Sequence, residues 1–291
     1  MMCTYCFSQI GLVRKSIVAI SRLFWNFDNV YEQDFDDCAQ QYDSAQTRRS
    51  LARISEEVVN SLGIKPGMHC MDLGCGTGDV SILMARVMSN KGVVEGYDVS
   101  ENMLAVAKKK SKGLSCIRYF REDMLSALKR SPDNLFDIVT CFWALGYSCP
   151  HKVLSQVYRV LKVGGRVGVL VNTQESLNQL QRIVIRIILR TPFILKGIPS
   201  INFPSNIKHF SSLVKRISFK PDTLKEESLS YFFSSSDEFI LWLKTSGPSA
   251  GFRGALKPKY RDEVFNKIKA VVDENQGITL TFRYIRFIGI K

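Results

Sequence analysis

The run Met71-Asp72-Leu73-Gly74-Cys75-Gly76-Thr77-Gly78-Asp79 constrains this chain more than any other stretch. A short apolar lead-in, Gly67-Met68-His69-Cys70, precedes it, and Val80-Ser81-Ile82-Leu83-Met84-Ala85-Arg86-Val87-Met88 follows with helical spacing. The order predicts a strand, a glycine-rich turn and a helix. Glycines at alternate positions let the backbone turn tightly and approach a ligand where a Cβ would clash. The turn delivers that ligand to a helix N-terminus, whose free N–H groups and dipole favour a negative group. A nucleotide-type cofactor on a Rossmann-like sheet is the first expectation.

The details exclude one cofactor class and suggest another. A dinucleotide fingerprint wants a small residue five positions after its first glycine, and that position here is Asp79. Asp72, two residues ahead of Gly74, would repel a pyrophosphate but could accept from an ammonium group. Asp-Leu-Gly-Cys-Gly-Thr-Gly resembles motif I of the class I S-adenosylmethionine (SAM) dependent methyltransferases. Later segments match that resemblance in order. Val93-Val94-Glu95-Gly96-Tyr97-Asp98 reads as a second strand ending in an acid about 20 residues past the glycines, where ribose hydroxyls are commonly bound. Arg121-Glu122-Asp123-Met124 closes a third strand, Phe136-Asp137-Ile138-Val139-Thr140-Cys141-Phe142 forms a fourth, and Val160 to Val167 resembles the family's turn into a fifth, with Val163 where a proline is usual. The resemblance implies SAM as cofactor, with S-adenosylhomocysteine as product. It places Asp72, Gly74, Cys75, Gly76, Gly78, Asp98, Val99, Met103, Asp123, Met124 and Cys141 at the cofactor, Asp123 accepting from the adenine amino group. It also implies a seven-stranded, mainly parallel, doubly wound α/β sheet with an antiparallel last strand.

Upstream, Ala39-Gln40-Gln41-Tyr42-Asp43 resembles the Ala-x-x-Tyr-Asp segment of ubiquinone- and menaquinone-biosynthesis-like methyltransferases. There the segment covers the cofactor, which makes Tyr42 a candidate lid residue. An aromatic that only packs a helix onto the core is the other reading.

The periodicities suggest four segments: residues 1–50 as extension and lid, 51–173 as the cofactor-binding core, 174–236 as an inserted substrate cap, and 237–291 as completion of the core. Residues 175–190 carry Leu177, Leu180, Ile183, Val184, Ile187 and Ile188 with Arg182, Arg186 and Arg190. Such a helix either buries its apolar face on the core or lies on a membrane surface. Gly277 to Ile288 alternates as a closing strand.

A formal charge of +13 permits attraction to nucleic acid, anionic lipid or an acidic carrier protein. The cations are spread out apart from Lys108-Lys109-Lys110 and Lys112, a cluster that also suits a helix C-terminus. No apolar run reaches the ~18 residues that span a bilayer. The cysteines are scattered, and Cys70, Cys75 and Cys141 fall in predicted strands or the glycine turn. This pattern favours free thiols in a reducing, cytoplasmic setting. Cys3-x-x-Cys6 is a lone pair, and no spacing suggests a metal site.

Methyl transfer from a sulfonium needs alignment more than acid–base help. A base is required only where the acceptor must shed a proton. Tyr42, Tyr147 and His151 are the candidates, with His209 and Tyr231 behind them and His69 lower still. Phe142, Trp143 and Tyr147 could face a methylsulfonium or a planar substrate, or could be core. Cys141-Phe142-Trp143-Ala144 stands where amino-methylating relatives keep an Asn/Asp-Pro-Pro-aromatic run, which argues against that chemistry. The expectation is a SAM-dependent methyltransferase for a small or lipid-like acceptor: a quinone-type ring, a polyketide-like hydroxyl or a carboxylate. An RNA or protein methyltransferase and a noncatalytic SAM-binding scaffold are the alternatives.

Overall fold

The computed structural model describes residues 30–44, 46–197, 201–247 and 251–291. Cys3, Cys6, Pro199 and Pro248 lie outside the described residues. The chain runs through α1 (Val30–Cys38), α2 (Gln46–Ser61), β1 (His69–Leu73), α3 (Asp79–Val87), β2 (Val93–Asp98) and α4 (Glu101–Lys110). It continues through β3 (Ile117–Arg121), α5 (Met124–Arg130), β4 (Phe136–Phe142), α6 (Pro150–Val160) and β5 (Leu161–Asn172). Then come α7 (Asn178–Arg190), α8 (Ile207–Arg216), β6 (Lys220–Phe233), α9 (Ser236–Thr245), α10 (Phe252–Ala255), α11 (Arg261–Glu274) and β7 (Ile278–Ile290).

The seven strands are ordered β3-β2-β1-β4-β5-β7-β6. β1 pairs in parallel with β2 and with β4, β2 with β3, and β4 with β5. β7 runs antiparallel to β5, with Val169 opposite Phe287. The expected α/β architecture is therefore present. Because β1 has β2 on one side and β4 on the other, the winding reverses at its carboxyl end, where ligands bind in open α/β sheets.

Local sequence explains the elements that position this end. Pro150 opens α6, where its missing N–H is no loss and its fixed φ suits a helix. Ser100 caps α4 by accepting from the Met103 amide. Lys162 to Gly165 interrupts the β4–β5 register, Phe136 facing Leu161 and Ile138 facing Arg166. Gly164 takes φ +78° there and Val163 is exposed, so a proline's rigidity is not needed.

The chain divides into two compact units. One holds residues 46–174, 201–227 and 283–291 and contains the glycine turn. Its core includes Leu73, Val139, Leu154, Val169 and Phe287, all buried. The other holds residues 30–44, 175–197, 228–247 and 251–282 among those described. Its core joins Phe233, Phe239, Trp242 and Phe282, and Phe239 stacks on Trp242 at 5.9 Å between ring centroids.

One sequence expectation needs correction. The segment 174–236, read as one cap, is split between the units and contains the sixth strand. Lys220-Pro221-Asp222-Thr223-Leu224-Lys225-Glu226-Glu227 opens that strand at the sheet's edge and is mostly exposed. Edge strands are commonly polar, so no apolar run announced this half; only Leu229, Tyr231 and Phe233 in the second half alternate toward the core. Of the two readings open for α7, its apolar face takes the first, burial on a core. Leu180 and Ile187 are buried in the second core, with Ile183, Val184 and Ile188 against it.

In the same unit, Asp34 on α1 is buried, and its Oδ2 accepts from the amides of Gly251 (2.8 Å) and Gly254 (2.9 Å). Removing a buried acceptor strands both donors, at about 1–3 kcal/mol. Asp34→Ala is expected to lower unfolding free energy by about that amount in urea titration. A change within error would show that water replaces the carboxylate.

Candidate functional site

The glycine turn starts where β1 runs out at Leu73. Gly74 N and Cys75 N both donate to the Tyr97 carbonyl at 2.8 and 3.0 Å, hanging the turn on the end of β2. Gly74 has φ +68°, and a Cβ there would lie 2.3 Å from the Ala144 Cβ just past β4. Only glycine lets the turn pass so close to that neighbour. Gly78 has φ +83°, and a Cβ would meet the Tyr119 hydroxyl at 2.5 Å. Gly76, by contrast, has nothing within 4 Å of its Cβ position.

Asp98 ends β2, and its two oxygens accept from the amides of Gly76 (2.8 Å) and Ser100 (2.9 Å). These bonds join the turn to the acid and fix its orientation at the position from which an acid takes ribose hydroxyls. Val99 follows it, and Met103 is buried on the first turn of α4. Asp123 is exposed at the end of the loop after β3, where its Oδ1 accepts from Leu125 and Ser126 amides as the N-cap of α5. Met124 is half-buried beside it. Cys75 and Cys141 are buried, and burial pushes both thiols well above their ordinary range. Neither is a thiolate nucleophile in that state.

The structure gives Asp72 a different task from the ammonium acceptor that the sequence suggested. Its side chain is fully buried beneath the turn. Oδ2 accepts from Ser81 Oγ at 2.6 Å and Oδ1 from Thr140 Oγ1 at 2.8 Å. Burial raises its pKa from 3.8 to about 6, while the two hydroxyls pull it down and nearby Asp98 adds to the rise. Asp72 thus ties β1 to α3 and β4. Asp79 is also engaged, by Arg48 at 2.9 Å and by Lys110.

At the carboxyl end of β4 the backbone turns sharply. Trp143 sits at φ +62°, a left-handed conformation costly for a bulky residue. Its amide donates to the Leu170 carbonyl at 2.7 Å, its Nε1 to Ser55 Oγ at 3.1 Å, and its ring meets Tyr284 edge-on at 5.2 Å. Tyr147 follows in a short 3-10 turn, edge-on to Phe203 at 6.4 Å. Phe203 belongs to a strap that sequence reasoning missed. Asn202 N donates to the Gly146 carbonyl (2.7 Å) and Asn202 Nδ2 to that of Ser148 (3.1 Å). Gln174 Nε2 donates to the Phe203 carbonyl at 3.1 Å. Gly146 has no room for a Cβ, which would lie 2.2 Å from the Phe203 ring.

The other candidates are spread out. His151 is exposed on the first turn of α6. His69 is at the opposite, amino end of β1, bonded to Glu95 at 2.9 Å, and Glu95 also accepts from Tyr97. The His209 ring accepts at Nδ1 from the Ser205 amide. Tyr42 and Tyr231 belong to the other unit. There Tyr42 packs edge-on to Phe35 at 6.4 Å and against Gly247, and Tyr231 edge-on to Phe282 at 5.9 Å. Among the described residues no group of acids, histidines and cysteines could hold a metal. Nor is any helix long and apolar enough to cross a membrane.

The arrangement can hold an adenosine-type ligand: a glycine turn with an open middle, an oriented acid at the next strand end, and an aromatic-lined end of β4. Comparisons with known proteins agree. A model of the ubiE/COQ5 methyltransferase family matches residues 27–225. A demethylmenaquinone methyltransferase of Symbiobacterium thermophilum is 35% identical over 137 residues, 45% of this chain and 55% of that protein. Its Staphylococcus aureus counterpart is 35% identical over 123 residues, 42% of this chain and 50% of that protein. The chain thus spans about half the length of the curated relatives it matches. Among solved structures, the YcgJ protein from Bacillus subtilis superposes with a TM-score of 0.54 at 18% identity, over 82% of this chain and 98% of that one.

Because the folded protein keeps the Asp72 proton up to about pH 6 and the unfolded chain loses it near 3.8, stability from this group is full below pH 3.8 and lost as pH rises to about 6. Asp72→Asn cannot titrate, so its unfolding free energy, relative to the native protein's, should improve by about 2–3 kcal/mol between pH 4 and pH 7. Parallel stability curves for the two proteins, from urea titrations across that range, would contradict the assignment.

Proposed function

The chain belongs to the ubiE/COQ5 methyltransferase family, and from that premise we propose that it transfers a methyl group from SAM to a quinone-type ring or related lipid-like acceptor. The observation that carries the reading is the Asp98 carboxylate, oriented by the Gly76 and Ser100 amides beside a turn that only glycines can make. Demethylmenaquinone methyltransferases among its relatives support a ring acceptor.

Bound SAM supplies an activated methyl with a neutral leaving group. The protein's part is to hold the adenosine and align the acceptor, and such alignment contributes up to ~7–11 kcal/mol in well-oriented reactions. In this reading Asp98 accepts from the ribose hydroxyls and the backbone of the glycine turn lies along the amino-acid end. Asp123 takes the adenine amino group. Trp143, Tyr147 and Phe203 present aromatic edges and faces at the carboxyl end of β4, surroundings that suit a planar apolar ring. A ring carbon must shed its proton after attack. On the two turns after β4, we propose that His151 takes the proton, with the Tyr147 hydroxyl relaying it by accepting it and passing its own on, directly or through water. Tyr42 is carried into the proposal as a lid residue by the Ala-x-x-Tyr-Asp resemblance.

Calorimetric titration with SAM, S-adenosylhomocysteine and NAD tests the reading. Micromolar binding of the two sulfur ligands and none of NAD is expected. NAD binding without SAM binding would overturn it. Asp98→Ala is expected to weaken SAM binding by at least ~10-fold, the worth of a charge-assisted pair of hydrogen bonds, with the fold retained by circular dichroism. Unchanged affinity would displace the cofactor from this strand end. Tyr147→Phe should lower turnover with the quinone-type acceptor while SAM affinity stays as in the native protein; equal turnover would remove Tyr147 from the proton relay.

A further inference from the structure

We propose that one face of the second unit, built from the C-terminal end of α7 and the turns flanking α10 and α11, docks on a membrane surface rich in anionic phospholipid. The segment 178–197 carries Arg182, Arg186, Arg190 and Lys196 and no acid. The first three recur on the exposed side of α7, opposite the face that enters the core. A second basic segment is fastened directly to the first. Leu195 and Leu256 form an antiparallel bridge, Lys196 N donates to the Ala255 carbonyl at 2.7 Å, and Lys257 N to that of Ile194 at 2.9 Å. This adds Lys257 and Lys259, both exposed. None of these six cations makes an ion pair among the described residues. Arg253, by contrast, is taken by Asp37. The acids at hand are Asp262 and Glu263 on the first turn of α11, and Glu263 is held by Lys267 at 2.6 Å.

Large apolar side chains stand among the cations. Phe193 is 56% exposed and Leu189 55%, where the buried neighbours Ile194 and Leu195 are below 5%. Phe193 meets Tyr260 edge-on at 5.5 Å, and the Lys259 ammonium lies 4.8 Å from the centre of the Tyr260 ring. The combination of unpaired cations, an interfacial aromatic pair and an exposed leucine is the chemistry of lipid headgroups over acyl chains. Cations near an anionic leaflet each contribute about 1 kcal/mol, and the apolar side chains enter the boundary beneath them. A nucleic acid would use the cations and the aromatics but not Leu189. The charge complementarity is local, with acids absent from the first segment, so it does not reduce to the overall charge of +13. The proposal is independent of the methyl acceptor and stands or falls apart from it.

Sedimentation of the full chain with vesicles tests this. Phosphatidylcholine vesicles with roughly a third phosphatidylglycerol are compared with pure phosphatidylcholine at low and moderate salt. Binding to the anionic vesicles only, weakened by salt, is expected. Lys196→Gln/Lys257→Gln/Lys259→Gln should lose roughly a hundredfold, about fivefold per cation, with its melting temperature retained. Phe193→Ser should lose a few-fold at both salt concentrations, because insertion is not screened, and serves where the triple variant folds poorly. Lys108→Gln/Lys109→Gln/Lys112→Gln, in the other unit, should bind as the native protein does. Absence of binding to anionic vesicles, equal loss in both triple variants, or a loss of polyuridylate binding that exceeds the loss of vesicle binding in the first triple variant would each overturn the proposal.

Discussion

The unit that carries the glycine turn depends on one buried carboxylate. Asp72 is the last polar residue of β1, and each of its oxygens is held by a hydroxyl from a different element, Ser81 on α3 and Thr140 on β4. Burying an acid is costly unless its acceptor positions are filled, and here they fix three elements in register. An apolar residue would fill the space but set no direction. The acid does both, because it accepts only and each hydroxyl has one proton to give. The strand end, the helix start and the neighbouring strand are thereby brought to one point, and the turn between Gly74 and Gly78 has a single path to follow. That path is then fastened from the other side by the Tyr97 carbonyl and by Asp98.

This also explains which parts of the molecule could be read from sequence. Motif residues with a period or a forbidden Cβ are legible. Gly74 and Gly78 announced the turn, the apolar runs of β1, β2 and β4 announced the parallel core, and Asp98 stood at the expected strand end. Groups whose function is set by a partner far along the chain are not. Asp72 was visible, but its partners Ser81 and Thr140 are common residue types nine and 68 positions away. Asn202 and Gln174 are no more conspicuous, although Asn202 holds the strap to the loop after β4 and Gln174 holds it to the end of β5. The sixth strand escaped for another reason: at the edge of a sheet, polar side chains fit as well as apolar ones, and alternation appears only in its second half, at Leu229, Tyr231 and Phe233. Strands that share both faces with neighbours are spelled out in sequence; edges and straps are spelled out only in space.

The two ends of the site are built on different physical terms. At the glycine turn, conformational freedom is removed by omission, through glycines that permit one close approach. At the end of β4 it is removed by over-determination. Trp143 occupies a left-handed backbone conformation that costs of order 1–3 kcal/mol in a non-glycine residue. It persists there because its amide, its indole N–H and its ring are each engaged, by Leu170, Ser55 and Tyr284. Those partners come from β5, α2 and β7, so the strain is held by the body of the unit and not by the loop alone. A glycine would adopt the same backbone without strain and would present nothing. Keeping an indole at this position gives up local stability for a large rigid side chain that ties the strand end to α2 and β7. The balance suits the proposed methyl transfer, in which the sulfonium donor is already activated and the protein's contribution is to place that charged donor against an apolar acceptor. Placement by rigid aromatic surfaces loses little side-chain entropy on binding. That makes the bulky residue, held in an unfavourable conformation by three elements, a better instrument here than a flexible one in a relaxed conformation.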